Sequence, residues 1–153
     1  MAVFERFTNI SRISVGRANQ ETHRLGGNII GDVELLLGLV NESRGVANIA
    51  MRQLGVDLSK LKVELEKQPR SLDDGKPPRK LPQTRELKLA IQSAIELARE
   101  MGHKHVGTEH MLLALVRDSS SAPSRILASH GVAFDRVKQT VADLAAASPQ
   151  GEE

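Results

Sequence analysis

The chain has 153 residues, of which 40% are hydrophobic and 26% charged, and a formal net charge of +2. This composition is typical of a globular domain, and so small a charge indicates no particular partner. Aromatic residues make up only 2%, which argues against strands and against single-stranded nucleic acids, whose bases stack on aromatic side chains. There is no cysteine, so disulfides and thiolate chemistry are excluded.

No apolar run approaches the length of a transmembrane helix, and the opening residues show no signal-peptide pattern. We therefore expect a cytoplasmic protein with neither a membrane nor a nucleic acid as its partner.

The chain contains an internal duplication. Residues 8–67 match residues 84–143 without a gap when they are shifted by 76 positions, with glycines and leucines at equivalent places. The pattern predicts an all-α fold of two tandem four-helix repeats related by a pseudo-two-fold axis. The leucines expected to be buried are Leu36, Leu37, Leu39, Leu112, Leu113 and Leu115. The predicted units are a first repeat (1–67), a Pro-rich linker (68–83), a second repeat (84–144) and a flexible tail (145–153).

The first helix of the first repeat is predicted to be the weaker of the two opening helices. Ser11 stands where the second repeat has Leu87, and Asn19 stands where it has Ile95. Gly16 interrupts the middle at a cost of roughly 1 kcal/mol relative to Ala. We expect this helix to be less firmly packed than its counterpart.

Acidic residues are predicted to cap the later helices of the first repeat, Asp32 the second and Asp57 the fourth. The linker carries four of the six prolines, which predicts an extended segment. Its basic residues suit either an acidic partner or, more simply, a solvated connector; they are Arg70, Lys76, Arg79 and Lys80.

In the second repeat, Thr84 is predicted to cap the first helix and Thr108 the second. Pro123 suits the first turn of a third helix, and a fourth is predicted from about Phe134 to Leu144.

The segment from Ala98 to Leu115 reads AREMGHKHVGTEHMLLAL and resembles the signature of the Clp N-terminal repeat. That repeat occurs as a tandem pair ahead of the ATPase modules of ClpC- and ClpA-type unfoldases. The opening FERFT, from Phe4 to Thr8, also resembles the start of ClpC-type chains. The resemblance covers about Phe4 to Leu144. It implies a pair of four-helix units that docks substrates or adaptor proteins for an ATP-dependent protease.

The sequence has no G-x-x-x-x-G-K-[ST] phosphate loop, because Gly75-Lys76 is followed by Pro77 and lacks the rest. We therefore expect no ATP binding, no cofactor and no enzymatic activity. The expectation is a free-standing Clp N domain, comparable to the small accessory proteins of some Clp protease complexes.

The resemblance also implies a ligand. ClpC-type N domains are understood to bind phosphoarginine once per repeat, through the Thr that opens the first helix and the Glu of the G-T-E-H segment. The second repeat keeps both, as Thr84 and Glu109, whereas the first keeps Thr8 but has Val33 in place of the acid. Glu34 lies about 100° further round the helix, too far to substitute. We therefore predict that such a pocket survives only in the second repeat. The simpler interpretation is that Thr84 is an N-cap and Glu109 a first-turn acid.

Two other clusters contain residue types that can bind metals or act as nucleophiles. His103, His105 and His110 lie beside Glu109, but their spacing matches no zinc motif, so no metal site is predicted. The serines at 119–121 lack a nucleophile-elbow pattern, so no catalytic residue is predicted.

Two functions remain open from the sequence. The first is an accessory or adaptor module that binds Clp unfoldase or protease subunits, adaptor proteins or protein substrates. The alternative is a helical interaction module re-used as a regulatory partner outside proteolysis. Recovery of Clp subunits in a pull-down would favour the first.

Overall fold

The computed structural model describes residues 4–69 and 81–147. Within these ranges the secondary structure is eight α-helices and two isolated β-bridges. The helices are α1 (Asn9–Arg24), α2 (Asp32–Asn41), α3 (Val46–Gln53), α4 (Leu58–Glu66), α5 (Arg85–Glu100), α6 (Thr108–Arg117), α7 (Ala122–Ser129) and α8 (Phe134–Ala147). Each helix of the second repeat starts at the position that the 76-residue shift assigns to it, which confirms the predicted all-α pair of four-helix repeats.

The core is built around α2 and α6. Every residue from Val33 to Val40 and from Thr108 to Val116 is buried, so both helices are enclosed on all sides by the others. The leucines predicted to be buried are between 0 and 2% exposed, which confirms that prediction for Leu36, Leu37, Leu39, Leu112, Leu113 and Leu115.

Two equivalent sets of backbone hydrogen bonds join the repeats. The N–H of Thr8 donates to the carbonyl of Val106 at 3.0 Å, and the N–H of Thr84 donates to that of Ile30 at 2.8 Å. Val106 and Ile30 in turn donate to the residues two positions before Thr8 and Thr84, at 2.9 and 2.8 Å. The opening segment of each repeat therefore lies against the loop that enters the second helix of the other repeat.

The prediction that α1 packs less firmly than α5 was wrong. Small residues on α1 let it approach α2 so closely that a Cβ at Gly38 would lie 2.3 Å from the carbonyl oxygen of Ser14. The equivalent position on α6 carries Ala114. Ser11 is fully buried, and its hydroxyl donates to the carbonyl of Val106 at 2.9 Å. Polar α1 positions are therefore core contacts whose hydroxyls are satisfied by backbone carbonyls.

The segments predicted as linker and tail are described only in part. Leu81 is 3% exposed and the carbonyl of Pro82 accepts from Ile30, so the last linker residues are packed against the first repeat. At the other end, α8 continues to Ala147, three residues beyond the predicted end of the second repeat. The four basic linker residues Arg70, Lys76, Arg79 and Lys80 lie outside the described residues, as do residues 148–153.

Candidate functional site

Thr84 and Glu109 lie at opposite ends of α6, so their predicted pairing in a second-repeat pocket was wrong. Thr84 donates to Ile30, two residues before Asp32 at the start of α2. Asp32 lines a groove with Asp118, which follows the last residue of α6. Glu109 is in the first turn of α6, so about 13 Å of helix separates it from the end at which Thr84 lies.

Glu109 shares its end of the molecule with Thr8 of the first repeat. The loop residue Val106, three positions before Glu109, accepts hydrogen bonds from the Thr8 N–H and the Ser11 hydroxyl. Thr8 is the N-cap of α1, and its hydroxyl accepts from the Ser11 N–H at 3.1 Å. The Glu109 carboxylate is largely desolvated, since the residue is 9% exposed. We call Thr8, Ser11, Val106 and Glu109 the Glu109 end.

The opposite end combines Thr84 with the start of α2, which carries Val33 where α6 carries Glu109. Thr84 caps α5, as predicted, by accepting from the Leu87 N–H at 3.1 Å. Val33 is buried at 8% exposure. Glu34 is also buried, and its carboxylate accepts from the N–H of Gly31 at 2.8 Å, which holds it at the N-terminus of its own helix.

The predictions that Asp32 and Thr108 cap their own helices were wrong, whereas Asp57 caps α4 as predicted. The N-caps of α2 and α6 are Gly31 and Gly107. The N–H groups of these two glycines donate to the side chains of Glu34 and His110, the third residue of each helix. Asp32 and Thr108 are instead the first residue of each helix, and their side chains can contact other elements.

Thr108 uses this freedom to cap α3 of the first repeat. Its hydroxyl accepts from the Ala47 N–H at 3.0 Å and is fully buried. The N-cap of α3 is Gly45, where a Cβ would lie 2.9 Å from the Thr108 hydroxyl oxygen. Because Gly45 has no side chain, the Thr108 hydroxyl of the other repeat can take the place of an N-cap side chain for α3.

The histidines form a pair rather than a metal cluster. Nδ1 of His110 accepts from the N–H of Gly107 at 2.9 Å, so its Nε2 carries the hydrogen and donates to Nδ1 of His103 at 2.8 Å. Burial, with a smaller contribution from His103, lowers the pKa of His110 to about 4. In residues 4–69 and 81–147, no three His, Asp or Glu side chains are placed to hold a metal ion.

A groove of about 340 Å³ opens at the Thr84 end of the molecule. We call it the Asp32 groove. Burial raises the pKa of Asp32, and the charges of Glu86 and Asp118 raise it further. The groove is lined by Asp32, Glu86, Leu89, Ala90, Ser93, Ala114, Leu115, Arg117, Asp118 and Ser121.

The family model of the Clp repeat (R) N-terminal domain matches residues 6–130 and 82–153. This chain belongs to the Clp N family. Among curated relatives, the chaperone protein ClpB of Oceanobacillus iheyensis is 36% identical to this chain over 143 residues. The matched region covers 93% of this chain and 17% of ClpB. The chain thus spans about one sixth of the length of that relative.

The fold is shared with solved Clp N domains. The N-terminal domain of ClpD from Arabidopsis thaliana superposes with a TM-score of 0.74 at 20% identity, over 95% of this chain and 97% of that one. A ClpV N-domain solved in complex with a VipB peptide gives a TM-score of 0.72 at 14% identity, over 92% and 90% of the two chains. Among the described residues of this Clp N domain, no helix combines the length and apolarity needed to span a bilayer.

Proposed function

We propose that this Clp N domain is a non-catalytic docking module that binds adaptor proteins or protein substrates as an accessory or regulatory part of ATP-dependent Clp proteolysis. The observation that carries the proposal is the family match, which extends over both repeats. The peptide complex of the related ClpV N-domain supports it, because a shared fold there binds a segment of another protein.

The test is affinity capture from native lysate of the source cells, with this chain as bait and an unrelated helical protein of similar size as the control bait. Enrichment of Clp unfoldase or protease subunits, of their adaptors, or of proteins that accumulate when Clp is depleted is the expected result. Partners with no connection to Clp would contradict the proposal and indicate a module re-used outside proteolysis.

We further propose that arginine-phosphorylated protein segments bind at the Glu109 end. A buried carboxylate pairs strongly with a guanidinium, and the N-terminal turns of α1 and α6 meet here and favour an anion such as a phosphate. The opposite end offers Val33 instead of an acid, and Asp32 repels a phosphate there.

NMR titration with free phosphoarginine tests this assignment. The shifts are expected at Thr8 and at residues 106–109. Glu109→Gln should weaken binding by about 2–5 kcal/mol while leaving inorganic phosphate binding unchanged, because the lost interaction is with the guanidinium. Glu96→Gln, an exposed acid on α5, is the charge-matched control. Shifts centred on Thr84 and Val33, or an equal loss in the control, would contradict the assignment.

A further inference from the structure

The Asp32 groove exists because the two ends of this pseudo-symmetric molecule are filled differently. At the Glu109 end, the guanidinium of Arg17 reaches the buried carboxylate of Glu42 at 3.4 Å and bridges α1 to the end of α2. The residues 76 positions later are Ser93 and Asp118, which are shorter, and both line the groove. The space that an ion pair occupies at one end is therefore open at the other.

Capping chemistry also leaves this groove open. Ser121 is the N-cap of α7, and its own hydroxyl accepts from the Ser124 N–H at 3.2 Å. Asp32 therefore does not cross over to cap α7 as its counterpart Thr108 caps α3. It lines the groove instead, where burial and the carboxylates of Glu86 and Asp118 disfavour its ionised form.

Four apolar residues also line the groove, and one of them is exposed. Ala90, Ala114 and Leu115 line it, together with Leu89, which is 51% exposed and among the most exposed large hydrophobic side chains of the described chain. The half-buried carboxylate of Asp32 and the exposed carboxylates of Glu86 and Asp118 lie beside this exposed leucine. Together they are complementary to a side chain that combines a cation with an aliphatic stem.

The groove has a negative balance of charge. Three of its lining residues are acidic, and its one basic residue, Arg117, approaches the carboxylate of Glu100 at 3.5 Å, a residue that does not line the groove. A bound ammonium or guanidinium would relieve the repulsion among the carboxylates, whereas a phosphate would add to it.

We infer that the Asp32 groove docks a protein segment in which an unmodified lysine or arginine adjoins an apolar residue. This inference rests on the proposed function, since it names the kind of segment that the docking module takes at its second site. Phosphorylation of the arginine would transfer the segment from the Asp32 groove to the Glu109 end. The molecule would thus bind arginine at one end and phosphoarginine at the other.

Fluorescence anisotropy with a short labelled peptide containing Leu-Arg-Leu tests the inference. The comparison peptides replace the arginine by lysine, by neutral citrulline or by phosphoarginine. The arginine and lysine peptides are expected to bind more tightly than the citrulline peptide, by roughly two- to fivefold for each acidic contact. The double variant Asp32→Asn with Glu86→Gln should remove that difference without affecting the phosphoarginine peptide.

Matched controls separate the groove from general charge effects. Leu89→Ala should weaken the arginine peptide severalfold, whereas Ile13→Ala, at the equivalent position of the first repeat and 39% exposed, should not. Glu96→Gln lies on the same helix as Glu86 but does not line the groove, so it should leave binding unchanged.

The outcomes distinguish this inference from the proposed function. If the arginine peptide binds equally well to the double variant, or no better than the citrulline peptide, the inference is wrong while docking of proteins at other surfaces stands. If the wild type binds none of the peptides and captures no Clp-related protein, both are wrong. Loss of binding by Ile13→Ala equal to that of Leu89→Ala would also overturn the assignment to this groove.

Discussion

Replacing Gly38 by alanine should destabilise the domain, although alanine is the better helix former. The added Cβ would lie 2.3 Å from the carbonyl oxygen of Ser14 and 3.1 Å from the N of Ala18, both backbone atoms of α1. The first distance is about 1 Å shorter than an ordinary contact, so α1 must move away from α2. Overpacking of this kind costs about 1–3 kcal/mol, and helix propensity returns about 0.8–1.0 kcal/mol. Because the clash is with backbone, we expect a net loss of about 2 kcal/mol.

The assay is thermal and urea unfolding followed by circular dichroism, with Gly16→Ala as the control. Gly16 is on exposed α1 surface and a Cβ there would meet nothing within 4 Å, so alanine should stabilise the domain by up to about 1 kcal/mol. For a chain of this length the expected changes in Tm are a fall of about 4–8 °C for Gly38→Ala and a rise of about 2–4 °C for Gly16→Ala. A Gly38→Ala variant as stable as Gly16→Ala would refute the close approach of α1 and α2.

Two other predictions concern buried polar contacts. Thr108→Val keeps the shape of the side chain but removes the acceptor for the Ala47 N–H, so it should lower the free energy of unfolding by about 1–3 kcal/mol, whereas Thr108→Ser should retain most of the stability. Equal losses in urea unfolding for both variants would show that packing, not capping, matters there. Because the pKa of His110 is lowered to about 4, the unfolded chain binds a proton that the folded chain refuses, and stability should fall by about 3 kcal/mol as pH drops from about 6.5 to 4. His110→Gln can still accept from Gly107 but does not titrate, so its urea midpoint should vary less with pH; an unchanged slope would contradict this account.

The features that could be predicted from the sequence are those recorded in local periodicity or in the offset between the repeats. The leucines of α2 and α6 are predictable as core residues because the same apolar run occurs in both repeats. The simplest explanation is an equivalent buried helix in each. Thr84 was recognised as an N-cap because a cap and the amide it binds lie within one turn of each other.

The candidate site was predicted less well because its contacts join distant parts of the chain. Pairing Thr84 with Glu109 assumed that each repeat completes its own pocket. The exchange of opening segments, which places Thr8 beside Val106, is set by backbone hydrogen bonds that leave no side-chain signal. The N-cap prediction for Thr108 was wrong for a related reason. Thr108 does act as a cap, but the helix that it caps, α3, belongs to the other repeat.

Helix α1 shows how composition alone misjudges packing. Ser11 and Gly16 suggest a loosely held helix, yet small side chains are what permit the close approach of α1 to α2 at Gly38. A count of apolar residues measures the area that a helix can bury but not the distance at which it packs.

The reciprocal bonds at Val106 and Ile30 bear on how such a duplicated domain can be recombined. Replacing one repeat with the corresponding half of a relative would not yield one native end and one foreign end. Both ends would become hybrids, each with an opening helix from one parent and a second helix from the other. For the same reason, the presence of Val33 instead of an acid on α2 alters the end that Thr84 of the second repeat helps to form. A change in either half of the chain therefore affects both ends.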